Sequence, residues 1–559
     1  CSSCLPHLPV FKEFRHMRLE HIEGKFRPTD DGKCATSDGG MVSTAFPEAT
    51  QAGVEMLRLG GNAIDAAVAS AFALGVCEPQ ASGLGGQSTA ILHYKGNTIA
   101  LDGSSRVPSL AHIDRIDKKT QRFQGYKAAT IPSTPAVLGY LHFRYGKLDW
   151  SEILKPAIRI AHEGYGITQL QHDLQKRELK KFLSMDSLSG AKYFLKEGKI
   201  PYPVGELFTQ KDLAGLLEHL SRYGVKAFYS GDIAQQIDED MRFHEGFLRS
   251  EDLALIPWPV ERKPIRRSYR KVKIFTCPPP GAGRTLLLVL QMMKNLPSKF
   301  FKNPTPKMYH FLAEMFRKGL LNHKERPFDP NIYPQLPHDK KILSLEFARN
   351  LSASIRDEID PTLPLTELFT LNNDTTHLSV MDAEGNAIGI TQSIELVYGS
   401  KVAARGLGFL YNNYMSSLDT SDPSHPYYLR PNAIPWSSVA PIIAFYNNRP
   451  WIVAGSPGSE RIFSAMSQFI SHIVDGDLPI SEAMIRPRMH CTVGGKLSLE
   501  AERFDPLVLN YLSQVGYKID EREPYSFYLG AIHAVLKSQT SNQFQGIAEI
   551  RRDGTAAGP

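Results

Sequence analysis

The stretch Asn372-Asn373-Asp374-Thr375-Thr376-His377-Leu378-Ser379-Val380 sets two threonines directly after a polar, turn-prone run. From Thr376 onward polar and apolar residues alternate, the pattern of a half-buried strand. Two readings are open. In the first, the threonines open an ordinary β-hairpin. In the second, the chain is cut between Asp374 and Thr375. A cut gives Thr375 a free α-amino group, whose reference pKa is about 7.7–8.0. Such an amine suits a general base near neutral pH. It can take the proton from the Oγ of the same residue, directly or through a water, so that the oxygen becomes nucleophilic without a histidine. An acyl-enzyme would form and be resolved by water or by an acceptor amine.

The elements that must position this threonine can be read locally. Thr376–Met381 forms one strand, Asp382-Ala383-Glu384-Gly385-Asn386 supplies the turn, and Ala387–Ser393 returns. Antiparallel pairing brings Thr391 and Ser393 back beside Thr375, Thr376 and His377. Hydroxyls therefore gather at the head of the hairpin. Cross-strand threonine pairs are also a common structural device, so the cluster alone does not choose between the readings.

Further out, residues 47–77 read as a helix broken at Gly60-Gly61, with Asn62 capping a small, apolar second piece from Ala63 to Val76. Ser88–Tyr94 and Asn97–Gly103 alternate like a hairpin. Residues 132–260 are mostly helical, strands return near Val272, and strands dominate at first after Thr375. The order is helix-rich, then strand-rich, with no Ser/Gly linker, which fits one interlocked body. The chain has 559 residues, 42% hydrophobic and 22% charged, with a net charge of +6. Its basic residues are dispersed, so no nucleic-acid face is indicated. No apolar run reaches the roughly 18 residues of a membrane span.

"TTHLSVMDAEGNA" resembles the nucleophile strand and turn of the γ-glutamyltranspeptidase family of N-terminal-nucleophile hydrolases. "MVSTAFPEATQAGVEMLRLGGNAIDAAVA", "PQASGLGG", "YGKLDWSEILKPAIRIAHEGY", "DIAQQIDEDM", "PPPGAGRT", "LGFLYNNYM", "PWSSVAPII", "AGSPGSERI", "RPRMH" and "RRDGTAAG" are similar to family segments in the same order, from about residue 40 to 559. The resemblance implies an α+β fold, a four-layer αββα sandwich built from two autoprocessed fragments that share its sheets. The fragments would be a large one of residues 35–374, after a poorly ordered leader 1–34, and a small one of residues 375–559. It implies Thr375 as autocleavage and catalytic nucleophile, with Thr391 as the threonine that holds its rotamer. Gly458 and Ser459 match the Gly-Gly whose N–H groups form the oxyanion hole. Ser437 and Ser438 match a serine pair that helps hold a substrate carboxylate. No cofactor or metal is implied. The expected activity is γ-glutamyl amide hydrolysis or transfer, of the glutathione hydrolase type.

The substrate clamp departs from the family pattern. The family reads the γ-glutamyl zwitterion with an arginine at the α-carboxylate and with an Asn, a Gln or Glu and an Asp at the α-ammonium. Here those ammonium positions hold Glu395, Tyr414 and Ser417, near Ser393 on the return strand. Glu395 or Asp419 could restore the negative charge. In Asp102-Gly103-Ser104-Ser105-Arg106-Val107-Pro108, Ser104 stands where the arginine is expected, and Arg106 is the substitute two residues on. A shortened segment between Asn413 and Ser437 points to an open cleft. The alternatives are a related acylase for glutaryl or other acyl amides, or an uncleaved binding relative.

Other signals are weaker. "PPPGAGRT" fits a phosphate loop poorly, because Pro278 and Arg284 fall at its first Gly and its Lys, and a turn under the site floor fits better. The histidines show no metal spacing, and His377 reads as a core or neighbour-binding residue. Glu460 and Arg461 read as a solvated or structural ion pair. Cys1-Ser2-Ser3-Cys4 has CxxC spacing without a βαβ context, and Cys77 reads as a buried thiol. A leading Cys fits a lipid-modified, exported protein, so an extracytoplasmic location, periplasmic or lipid-anchored, is favoured over the cytoplasm.

Overall fold

The structure, a computed structural model, describes residues 17–324, 341–363 and 375–559. Asp374 and the Cys1–Cys4 pair lie outside the described residues. Two seven-stranded antiparallel sheets form the centre. One runs Cys34–Ser37, Phe544–Ile547, His533–Lys537, Arg449–Gly455, Ile442–Tyr446, Val272–Thr276, Ile265–Tyr269. The other runs Thr555–Ala557, Gly40–Thr44, Thr376–Asp382, Ala387–Ser393, Gln87–Tyr94, Asn97–Gly103, Val260–Arg262. Each sheet combines strands from before and after Thr375, so neither part of the chain could complete a sheet alone.

Strand alternation explains the layering. On Thr376–Asp382, Leu378 and Val380 face a helical layer that contains Ala63–Cys77, while Met381 faces the other sheet with Ile443, Val453 and Val535. A second helical layer, including Gly283–Lys294 and Ile462–Val474, covers the far side of the first sheet. The result is four layers, helix, sheet, sheet and helix. No helix among the described residues is long and apolar enough to cross a membrane.

Local chemistry fixes the nucleophile hairpin. The Asn62 side chain accepts from the N–H groups of Ile64 (2.9 Å) and Asp65 (3.0 Å), capping the helix as its sequence predicts. Asp382, at the turn of the hairpin, accepts from the Ala63 N–H at 2.8 Å and from the Asn386 N–H at 2.9 Å. One carboxylate thus ties the hairpin turn to the N-terminus of a buried helix, where negative charge is favoured.

The expectation of a poorly ordered leader fails for its described part. Leu19–Gly24 is a helix with Ile22 fully buried. The Glu23 carboxylate accepts from Trp451 Nε1 (3.0 Å), Ser538 Oγ (2.8 Å) and Thr540 Oγ1 (2.7 Å). A buried carboxylate requires such donors, and they come from strands hundreds of residues away. Local composition therefore gave no sign of them.

Candidate active site

Thr375 is 4% exposed and immediately precedes the strand Thr376–Asp382. The register pairs Thr376 with Gln392 and His377 with Thr391. Continued by one pair, it sets Thr375 opposite Ser393, and the Thr375 Oγ1 donates to Ser393 Oγ at 3.2 Å. Ser393 therefore takes the neighbouring position that the resemblance assigned to Thr391. Thr391 is bound to His377 Nδ1 at 2.8 Å instead. Both residues lie on the face toward the other sheet, and the two-pair difference moves the hydroxyl two residues along the strand, about 6.6 Å.

His377 is fully buried, with Nε2 paired to Ser379 Oγ at 3.0 Å. Burial pushes its imidazole down to about 3. It is thus a neutral core residue that orients Thr391, as the sequence indicated. Space for it comes from the facing sheet, because a Cβ on Gly455 would stand 2.4 Å from its ring. Gly455→Ala is expected to destabilise the protein by about 1–3 kcal/mol through overpacking, seen as a lower melting temperature.

The contact of His377 with Gly455 also brings two ends together. Thr375 lies two residues before His377, and Ser456-Pro457-Gly458-Ser459 follows Gly455 at the same end of the sandwich. Gly458 has φ +128° and Ser459 φ +54°, and the turn leads into the helix Ile462–Val474. Neither the Gly458 nor the Ser459 N–H has an acceptor among the described residues. Free main-chain donors at the start of a helix favour an anion. Ser459 occupies the left-handed region at a cost on the order of 1–2 kcal/mol. The turn is braced by the Ala531 N–H, which donates to Ser456 Oγ at 2.9 Å. Arg461 is 4% exposed and stacks over the Tyr528 ring at 4.0 Å. It is therefore structural rather than solvated.

Beyond Ser393 the chain supplies a carboxylate. The Glu395 N–H donates to Ser393 Oγ at 2.9 Å, and Ser417 Oγ donates to Glu395 Oε1 at 2.6 Å. Both side chains are 8% exposed. Burial, and then the charge of Glu395, push the Tyr414 phenol well above its usual value, with hydrogen bonding from Ser393 and Gln87 opposing. Glu395, Ser417, Tyr414 and Ser393 are thus one cluster. Asp419 is not part of it. Its carboxylate accepts from the Ser421 N–H (2.9 Å) and the Asp422 N–H (2.8 Å), closing its own turn.

Gln87 belongs to the cluster and was missed by residue type. It pairs in register with Ser393, and its Oε1 accepts from the Ser105 N–H at 2.8 Å. Strand pairing was the only signal that could have found it. Arg106 follows Ser105, bridges Ile131, and donates from Nη1 to Asn432 Oδ1 at 3.4 Å. Ser104, by contrast, is turned to Asp102 Oδ1 at 2.6 Å. The Val107 N–H donates to Ala433 O at 2.9 Å, which sets Arg106 beside the segment leading to Ser437 and Ser438. Ser437 is buried and Ser438 half-buried. The Ser437 N–H donates to Pro280 O at 3.0 Å, so "PPPGAGRT" is a turn supporting this segment. No His, Cys, Asp and Glu grouping among the described residues could hold a metal ion. A polar cleft of about 600 Å³ opens at the opposite end of the sheets, near Lys95, Arg449 and Lys537, away from Thr375.

Known proteins share this arrangement. The family described as Gamma-glutamyltranspeptidase matches residues 49–559. The glutathione hydrolase proenzyme of Escherichia coli (strain K12) is 30% identical over 509 residues, covering 87% of this chain and 86% of the relative. The acylase ACY 1 proenzyme of Pseudomonas sp. (strain SE83) is 31% identical over 544 residues, covering 94% and 95%. Among solved structures, cephalosporin acylase from Bacillus halodurans superposes with a TM-score of 0.86 at 27% identity, covering 94% of this chain and 97% of that one. The four-layer fold, the extent of the match and the hydroxyl cluster at Thr375 agree, and the chain belongs to the γ-glutamyltranspeptidase family of N-terminal-nucleophile amidohydrolases.

Proposed function

We propose that the chain is cut between Asp374 and Thr375, and that the freed Thr375 attacks the carbonyl of a γ-glutamyl amide, handing the acyl group to water or an amine. The observation that carries this reading is the pairing of Thr375 Oγ1 with Ser393 at 3.2 Å, beside the buried Glu395–Ser417 pair. The Thr375 α-amine accepts the Oγ proton as the C–O bond forms. The carbonyl oxygen gains negative charge, which the Gly458 and Ser459 N–H groups stabilise. Collapse expels the amine leaving group, which takes the proton back. In deacylation the α-amine takes a proton from the attacking water or acceptor amine and returns it to the Thr375 oxygen, and the free acid (from water) or a new amide (from the acceptor amine) is released with Thr375 restored.

Ser393 holds the nucleophile's rotamer, and Thr391 supports the strand through His377. Arg106, Ser437 and Ser438 bind the α-carboxylate. Glu395, presented by Ser417 and flanked by Tyr414, meets the α-ammonium.

A second reading, an acylase for glutaryl or similar groups, is favoured by Tyr414 and Ser417 at positions where the family carries charged or amide side chains. Turnover of a γ-glutamyl anilide and a glutaryl anilide separates the two. The γ-glutamyl donor is expected to be preferred. Preference for glutaryl would reject the ammonium role of Glu395. Glu395→Gln removes one charge-assisted contact worth about 1.5–3 kcal/mol. It is expected to lower kcat/KM for the γ-glutamyl anilide about 10- to 100-fold, mostly through KM, and to leave the glutaryl anilide nearly unaffected.

A further inference from the structure

The loop that follows the return strand is conformationally costly. Glu395 (φ +80°), Tyr398 (+56°), Gly399 (+48°) and Lys401 (+66°) all lie in the left-handed region. Three of the four carry side chains that disfavour it. Such a loop keeps its shape only if its surroundings hold it.

Main-chain contacts hold part of it. The Leu396 N–H donates to Asn413 Oδ1 at 3.0 Å and the Tyr398 N–H to Gln80 O at 2.9 Å. Two carbonyls at its centre are held by a charge. Lys401 is 2% exposed, and its Nζ donates to Val397 O and, at 3.2 Å, to Gly399 O. The same Nζ lies 3.5 Å from Glu178 Oε2, on the helix Gln169–Leu183 of the other part of the chain. An ammonium has three protons and no acceptor, and here three acceptors surround it. A neutral amine has only two protons, and its lone pair would face one of those oxygens. The arrangement is satisfied only by the charged form.

We propose that Lys401 is a positioning residue for the substrate pocket: its ammonium clamps the loop 395–401 to Glu178 and so keeps Glu395 beside Ser393. This rests on the reading above that Glu395 faces the substrate.

The charged groups around Lys401 come from the helix Gln169–Leu183. Glu178 also pairs with Lys181 at 2.8 Å and Arg177 at 3.1 Å. The helix Ser189–Phe194 brings Gly190 against the Lys401 carbonyl and adds no charge there. Burial pushes the Lys401 amine down to about 8, against the attraction of Glu178 and helped by Lys181 and Arg177. The unfolded chain keeps this proton up to its ordinary value near 10.5. Between about 8 and 10.5 the unfolded state therefore binds more protons, and the contribution of Lys401 to stability rises with pH. The same linkage applies to local opening: an opened loop would return Lys401 to its ordinary proton affinity, so raising the pH through that window does not favour the opened loop.

The test follows hydrogen exchange of the amides in 394–401 at pH 7, together with kcat and KM for whichever anilide is turned over. The protection factor of 394–401 is expected to be at least about tenfold lower in Lys401→Met than in the wild type, as expected for loss of a charge-assisted hydrogen bond. The kcat/KM falls with it, through a raised KM with little change in kcat. Lys401→Arg, which keeps the charge, is expected to restore both protection and KM.

Equal protection of 394–401 in the wild type and Lys401→Met overturns the proposal; if Lys401→Met fails to fold, Glu178→Gln, which removes the charge at the other end of the clamp, is read in its place. A loosened loop with unchanged kcat/KM overturns it as well. If neither anilide is turned over at pH 7, the functional reading fails by itself, and the clamp is judged on exchange alone.

Discussion

Thr375→Ala is expected to give one full-length band on a denaturing gel, and the unaltered chain two fragments with a length ratio of about two to one. The same variant should lose turnover of every amide substrate, by roughly 10⁴-fold or more, the scale seen when a nucleophile is deleted from a cooperating site. Both losses have one cause. In the proposed mechanism the Oγ that attacks the bond at Asp374 also attacks substrate, and after the cut the α-amine of the same residue becomes its base. Thr375→Ser keeps the oxygen and should still yield two fragments. Mass spectrometry of active, unaltered protein checks the central point: if the active species is an intact chain, the mechanism is wrong. Below its pKa the freed amine is protonated and cannot accept, so activity should rise with pH through about 7.7–8.0.

Gly458→Ala is expected to lower kcat about 10²- to 10³-fold with a smaller change in KM, the usual range for loss of one oxyanion donor. Position 458 has φ +128°, and a Cβ there would stand 3.2 Å from the Gly530 Cα. An alanine must therefore turn the peptide or push the bracing loop away, and either change re-aims the N–H. The donor is main chain, so the side chain at the next position is not required. Ser459→Gly should keep activity and gain roughly 0.5–1 kcal/mol of stability by relieving a left-handed residue. Steady-state kinetics and a thermal melt of both variants check this pair. Equal kcat in Gly458→Ala and the unaltered protein would remove the turn from the mechanism.

Elements with short-range causes were legible without coordinates. The cap at Asn62, the hairpin Gln87–Gly103 and the strand, turn and strand from Thr376 to Ser393 all follow from periodicity and turn chemistry. The buried state of Cys77 and the core role of His377 were legible for the same reason. The partner of Thr375 shows where such reasoning stops. Thr391 and Ser393 share a strand face, so alternation does not separate them. Pairing Met381 with Ala387 across the five-residue turn sets Thr375 opposite Ser393, and matching by resemblance chose the same-face neighbour two pairs away.

The sequence by itself determined the strands that carry Thr375, the proposed nucleophile, because a hydroxyl, its neighbours and a turn lie within twenty residues. Only the tertiary structure decided what surrounds them. Glu23 with Thr540, Glu178 with Lys401, and Arg461 with Tyr528 are joined across long stretches of chain. Burial makes each of these polar groups require a partner, yet nothing in the local pattern around either residue says which one the fold will bring.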